Sequence, residues 1–204
     1  IAEPGSWSVV GKKLLKDVGI HTQHFYDYFD RNYYKDRKLG RGLYFSHDQY
    51  DKDHVSDNIL GVEIGDNEQE IIDIINEYPI AKASKVALFR LLSDKKNYLK
   101  GMGSREDRIN LLRRTSYSDF LRKYVHIQEE VVRLYRDMSR GLWGIGWDAL
   151  SALDAYRSQM PGTRHLNLGL ADESYERDEP YIFHFPDGNA GVARSIVRNL
   201  IPSA

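Results

Sequence analysis

Glu179-Pro180-Tyr181-Ile182-Phe183-His184-Phe185-Pro186-Asp187-Gly188-Asn189-Ala190 runs directly into Gly191-Val192-Ala193-Arg194-Ser195-Ile196-Val197-Arg198-Asn199-Leu200-Ile201-Pro202. Tyr181 to Phe185 are aromatic or β-branched apart from one histidine, which predicts a short strand. Pro186-Asp187-Gly188-Asn189 is turn chemistry. Val192, Ile196 and Leu200 then recur at i, i+4 and i+8, with Ala193 and Val197 beside them, so a helix is expected whose apolar face is flanked by Arg194 and Arg198. Backbone N–H groups at such a helix start favour a partly negative atom, and a glycine in the turn lets another body approach closely. An ordinary strand-to-helix connection accounts for the same pattern. Alternation along the strand places Tyr181, Phe183 and Phe185 on one face and Ile182 and His184 on the other. His184 is the one titratable residue of note beside the turn, although a histidine merely hydrogen-bonded at a domain boundary fits the pattern better.

Outward from this stretch, the 204 residues suit one large domain or a domain with a small annex. Hydrophobic residues make up 41% and charged residues 29%, with no low-complexity tract, so a packed core is expected rather than disorder. The formal net charge of −1 gives no electrostatic reason to expect nucleic acid as a partner. With no cysteine, disulfides, thiolate metal sites and a cysteine nucleophile are excluded. No apolar run approaches the about 20 residues of a membrane span, so a soluble protein is expected, of cytoplasm or periplasm. The chain opens Ile1-Ala2-Glu3 rather than with Met, which suggests a fragment, a processed product or an excised domain. Fourteen tyrosines and three tryptophans suggest a surface that meets a flat ligand or another large body.

Pro4-Gly5-Ser6 should lead into a helix over Trp7 to Val18, capped by Ser6 or Ser8, stopped by Gly19 and buried through Trp7, Val10, Leu14 and Val18. An aromatic run, His21 to Phe29, follows, then polar residues and a strand over Leu43 to Phe45. His21 and His24 share a helical face, but two ligands are too few for zinc, and no metal is expected. The acids Asp48, Asp51, Asp53 and Asp57 do not fit a calcium loop, and a solvated loop with a strand near Asn58 to Ile64 is expected instead. Asp66 to Glu70 should start a packing helix that runs to Asn76. Helices are predicted over Ser84–Leu92, Ser104–Arg114, Ser118–Val125, Gln128–Arg140 and Trp147–Gln159, several with Ser caps. Arg105, Arg108, Arg113 and Arg114 lie among acids and suit a solvated face. Tyr117 and Phe120 belong to the core.

Gly141-Leu142-Trp143-Gly144-Ile145-Gly146-Trp147 lacks G-x-G-x-x-G spacing and a preceding strand, so it is not a dinucleotide fingerprint. A loop that presents indoles to a ligand or neighbouring domain and plain packing both fit it. There is no G-x-S-x-G, phosphate loop or His-Glu-x-x-His, so no self-sufficient active site can be assembled and catalytic residues stay unassigned.

The segment from Glu179 to Ala190, continued by Ala193-Arg194, Val197-Arg198 and Leu200-Ile201-Pro202, resembles flavin-dependent amine-oxidase-like oxidoreductases of bacteria, the group that includes spermidine dehydrogenases. Weaker likeness covers Pro4 to Ser8, Leu14 to Ile20, Ser116 to Leu121 and Gly146 to Ala152. In such enzymes the chain starts in a Rossmann-type FAD-binding segment, leaves it to build a substrate domain, and re-enters it through a Pro-Gly-Gly-like turn and helix beside the flavin. Pro186-Asp187-Gly188-Asn189 is similar to that turn, with Asn189 in place of a second glycine. The segment that holds the ADP moiety has no counterpart in these residues. The resemblance implies a mainly helical α+β fold with a substrate-domain-like region over 1–178 and a strand-turn-helix over 179–204. It also implies an FAD-binding domain or subunit as partner and a small amine or polyamine as substrate. Flavin contacts are expected from Pro186, Asp187, Gly188 and Asn189, and substrate contacts from His184, Tyr181 and Trp143. A non-catalytic helical interaction domain that docks through its aromatic loops is the alternative.

Overall fold

The computed structural model describes residues 4–62, 64–65, 67–169 and 183–203. Helix takes 52% of the described residues and their sheet has two strands, so the class is α+β and mainly helical. The chain divides into two compact units, one of residues 1–40 with 172–204 and the other of residues 41–171.

The first unit opens with helix α1, Val9–Asp17, capped by the Ser8 side chain, which accepts from the Gly11 N–H at 3.2 Å. The helix is therefore shorter than Trp7 to Val18, since Ser8 satisfies its first turn. Its contact is also turned by one position: Leu15 is buried, whereas Val10 and Leu14 are exposed. A 3-10 turn over Thr22–Asp27 and the short helix α2, Tyr33–Asp36, complete this segment.

The second unit begins with strand β1, Gly42–Phe45, then the short helix α3, His47–Tyr50, and strand β2, His54–Asp57. The strands are antiparallel, with Leu43 opposite Ser56 and Phe45 opposite His54. The second strand thus lies ahead of the expected Asn58 to Ile64. The Asn58 side chain instead accepts from the Leu60 N–H at 3.1 Å, which turns the chain and sends Ile59 and Leu60 into the core. Helix α4, Glu68–Glu77, follows, and its end holds the hairpin: Ser56 donates to Glu77 at 2.8 Å and Tyr78 donates to the Asp57 carbonyl at 2.7 Å. Phe45 packs edge-on against Tyr78 at 4.8 Å.

Helices α5, Lys82–Ser93, α6, Arg105–Arg114, and α7, Tyr117–Phe120, come next, the last widening into a π-helical turn over Leu121–Val125. α6 has a full capping box, in which Ser104 and Asp107 satisfy each other's backbone. Helix α8, Glu129–Arg136, and the short α9, Arg140–Trp143, replace the single helix expected to Arg140. The break has a cause in hydrogen bonding, because the Arg136 carbonyl accepts from the Trp147 N–H at 2.7 Å and is lost to the helix ladder. Helix α10, Ala152–Arg157, starts later than Trp147 for a related reason. The Trp147 and Leu150 carbonyls accept from the Ser118 and Tyr117 N–H groups, so residues 147–150 strap the start of α7.

α4 packs against α5, α5 against α8, and α6 and α7 against α10. Their shared core holds Leu60, Leu88, Leu91, Leu99, Leu112 and Phe120 with Tyr117, Tyr135 and Trp147. Tyr117 donates to the Pro161 carbonyl at 2.8 Å, while the Tyr135 hydroxyl has no hydrogen-bond partner among the described residues. Burial pushes both phenols upward, and that of Tyr78 to about 12. No helix of the described residues is long and apolar enough to cross a membrane.

The C-terminal part of the first unit carries helix α11, Ala190–Leu200. Phe183 stacks on Phe25 with ring centres 5.0 Å apart, Phe185 meets the same ring edge-on at 4.8 Å, and Tyr26 meets Phe183 at 5.2 Å. Asn199 donates to the Asp17 carbonyl at the end of α1 at 2.8 Å. Among the described residues, an aromatic cluster and the Asn199 side chain thus tie residues 4–40 to residues 183–203.

Candidate functional site

The turn ahead of α11 forms as its residue types require. Gly188 has φ +79°, a left-handed conformation that a side chain would strain, and its N–H closes the turn on the Phe185 carbonyl at 3.0 Å. Residues 183–185 do not form a strand; Tyr181 lies outside the described residues, as do Glu179, Pro180 and Ile182. Phe183 and Phe185 point into the aromatic cluster and His184 is exposed, which matches the alternation read from the sequence.

The start of α11 is covered by the chain's own carboxylate. An ideal Cβ on Gly191 would lie 2.6 Å from Asp187 Oδ1, so only glycine leaves room for the carboxylate over the first turn. Asp187 Oδ2 in turn accepts from Arg194 at 2.5 Å, and the Asp187 carbonyl accepts from the same guanidinium at 3.2 Å. The Arg194 hydrogen bond holds the Asp187 carboxyl below the usual carboxylate range, and the nearby Arg198 charge adds to it. Asn189 occupies the cap position but makes no side-chain capping bond. Beside Gly188 there is open space, with no heavy atom within 4 Å of where a Cβ would stand.

These features decide what the turn can hold. An edge of a flat ring could approach the exposed Pro186-Asp187-Gly188-Asn189 backbone at Gly188. A pyrophosphate does not fit the helix start, because Asp187 already places a carboxylate there and would repel it. The turn thus offers an open backbone edge at Gly188 and a helix start already covered by a carboxylate.

Beside the turn lies a cleft of about 200 Å³, all of whose lining residues belong to the unit of residues 1–40 and 172–204. Phe25, Tyr28 and Phe185 give it an aromatic floor, with Phe25 and Tyr28 edge-on at 5.8 Å. His21 and His24, with rings 5.9 Å apart, form one side, and Arg194, Ser195 and Arg198 of α11 form the other. The only sequence signal for this cleft was the flanking of the apolar stripe by Arg194 and Arg198 together with the His21/His24 spacing. No group of three or more potential ligands able to hold a metal ion occurs among the described residues.

Trp143 belongs to the other unit. It ends α9, remains partly exposed, and meets buried Trp147 edge-on at 5.5 Å. The two indoles therefore divide the roles that the sequence left open, one packing and one facing outward. On α6, Arg105 donates to the Leu168 carbonyl, Arg108 to the Ser104 carbonyl and Arg113 to Asn110, which uses these guanidiniums structurally.

No family model matches the chain, and no curated protein matches it either.

Proposed function

We propose that the chain is the substrate-side portion of a larger FAD-dependent oxidoreductase that oxidises a C–N bond of an amine or polyamine by hydride transfer to flavin. The observation that carries this reading is the discontinuous first unit. Residues 1–40 and 172–204 form one compact body, and residues 41–171 form another between them in the chain. Leaving a body, building a helical one and returning is the chain path that the family resemblance implies. The turn of Pro186 to Asn189 lies within the returning segment of residues 172–204 and leads at once into α11.

FAD would supply hydride acceptance, and this chain would supply positioning and exclusion of water. Pro186, Asp187, Gly188 and Asn189 would form one wall beside the flavin ring, approached across the open flank of Gly188. His184 and Trp143 are exposed enough to meet a substrate. The ADP moiety needs another segment, since Asp187 covers the α11 start.

The reading is tested in the complete reading frame that encodes this chain. A G-x-G-x-x-G segment in that frame or in a co-purifying subunit is expected, and Asn189→Leu should slow flavin reduction more than it lowers thermal stability. Absence of such a segment from both would overturn the reading. A non-catalytic docking domain is the second reading, favoured by the exposed Tyr28, Phe29, Tyr33 and Tyr34 of the first unit. It predicts a stable protein complex without flavin.

A further inference from the structure

We propose that the cleft between α11 and the His21/His24 turn is a recognition site for a small anionic molecule, one carrying a carboxylate or phosphate on a flat apolar ring. The inference does not rest on the flavin reading and stands on the cleft alone. Its charge is unbalanced: among the described residues, Asp187 is the only carboxylate in the lining, against two guanidiniums. Asp187 is committed to Arg194. The Arg198 guanidinium, one turn further along α11, makes no hydrogen bond or ion pair among the described residues, and the Ser195 hydroxyl makes no hydrogen bond among them either. Asp27 lies 3.5 Å from His24 and is the one further acid facing a lining residue from its own turn.

Arg198 is thus a fork of donors with the Asp187 charge nearby but no hydrogen bond to it, placed beside a spare hydroxyl and opposite two imidazoles whose ring nitrogens can donate or accept. The aromatic floor of Phe25, Tyr28 and Phe185 gives the rest of the ligand a flat apolar seat. The about 200 Å³ of space fits a single ring with one charged group and is too small for a dinucleotide. The two guanidiniums disfavour a polyamine here, so a cationic substrate would have to bind elsewhere.

The test uses the full chain and three probes that share a benzene ring and differ in charge: phenyl phosphate, benzoate and benzylamine. Calorimetric titration should show binding of an anion and none of benzylamine. Binding of phenyl phosphate alone, or of benzoate alone, would support the site and identify the anion. Arg198→Gln should weaken anion binding by about tenfold or more, the scale of one charge-assisted hydrogen bond. Amide shifts in the unsubstituted protein should change at His21, Ser195 and Arg198, a readout that does not depend on the variant folding. The proposal is overturned by any of four results: neither anion binds, benzylamine binds as tightly, Arg198→Gln binds equally well, or the shifts map away from the cleft.

Discussion

Two buried tyrosines separate the worth of a hydrogen bond from the worth of a ring. Tyr117 donates to the Pro161 carbonyl, so Tyr117→Phe leaves a buried acceptor short and should cost about 1 kcal/mol in urea denaturation. The Tyr135 hydroxyl has no partner among the described residues, so Tyr135→Phe should be neutral or stabilising. The reverse order would mean that Tyr135 has a partner in solution. The Asp187–Arg194 pair makes a prediction of a different kind. The Asp187 carboxyl is held below its ordinary range in the folded chain, so its stabilisation is present above the pKa of an unpaired Asp. It is lost as pH falls through the lowered value. Thermal melts should show that Asp187→Asn loses this acid-side dependence while the parent chain keeps it, and parallel curves would deny the pair any role in stability.

At the scale of elements, helices were legible wherever side chain and backbone agree locally. Ser104 with Asp107 and Ser116 with Asp119 are caps that the sequence announces within four residues, and α6 and α7 begin there. Ser116→Ala should therefore cost about 1 kcal/mol, measured against the parent by chemical denaturation. Where the expectation missed, a distant backbone group intervened. α8 stops at Arg136 because its carbonyl is taken by Trp147, and α10 waits until Ala152 because residues 147 and 150 bond to α7. Hydrophobic periodicity contains no record of such long-range bonds. The cleft was hidden for the same reason: His21 and Arg198 are far apart in sequence, and the stacking of Phe25 on Phe183 is what brings their segments together. The turn at Gly188, by contrast, was readable from Pro186 to Asn189 alone, although the occupation of the helix start by Asp187 was not.

The whole molecule is built from two bodies with unlike interiors. Residues 41–171 bury a continuous apolar core, whereas in the other unit α11 has no buried residue and α1 buries only Leu15. Leu112, fully buried on α6, should cost about 2–5 kcal/mol when cut to alanine, read as an earlier unfolding transition of the body that contains it. Exposed apolar residues on α1 and α11, including Val9, Val10, Leu14 and Leu200, leave this unit with apolar surface of a kind that the other unit's helices bury in their own core. The central claim is best tested by purifying the product of the complete reading frame and following its visible flavin absorbance during anaerobic titration with amines. The account predicts bound oxidised flavin that bleaches with an amine and bleaches more slowly in Asn189→Leu. A protein that purifies without flavin, or a flavin that no amine reduces, would contradict it.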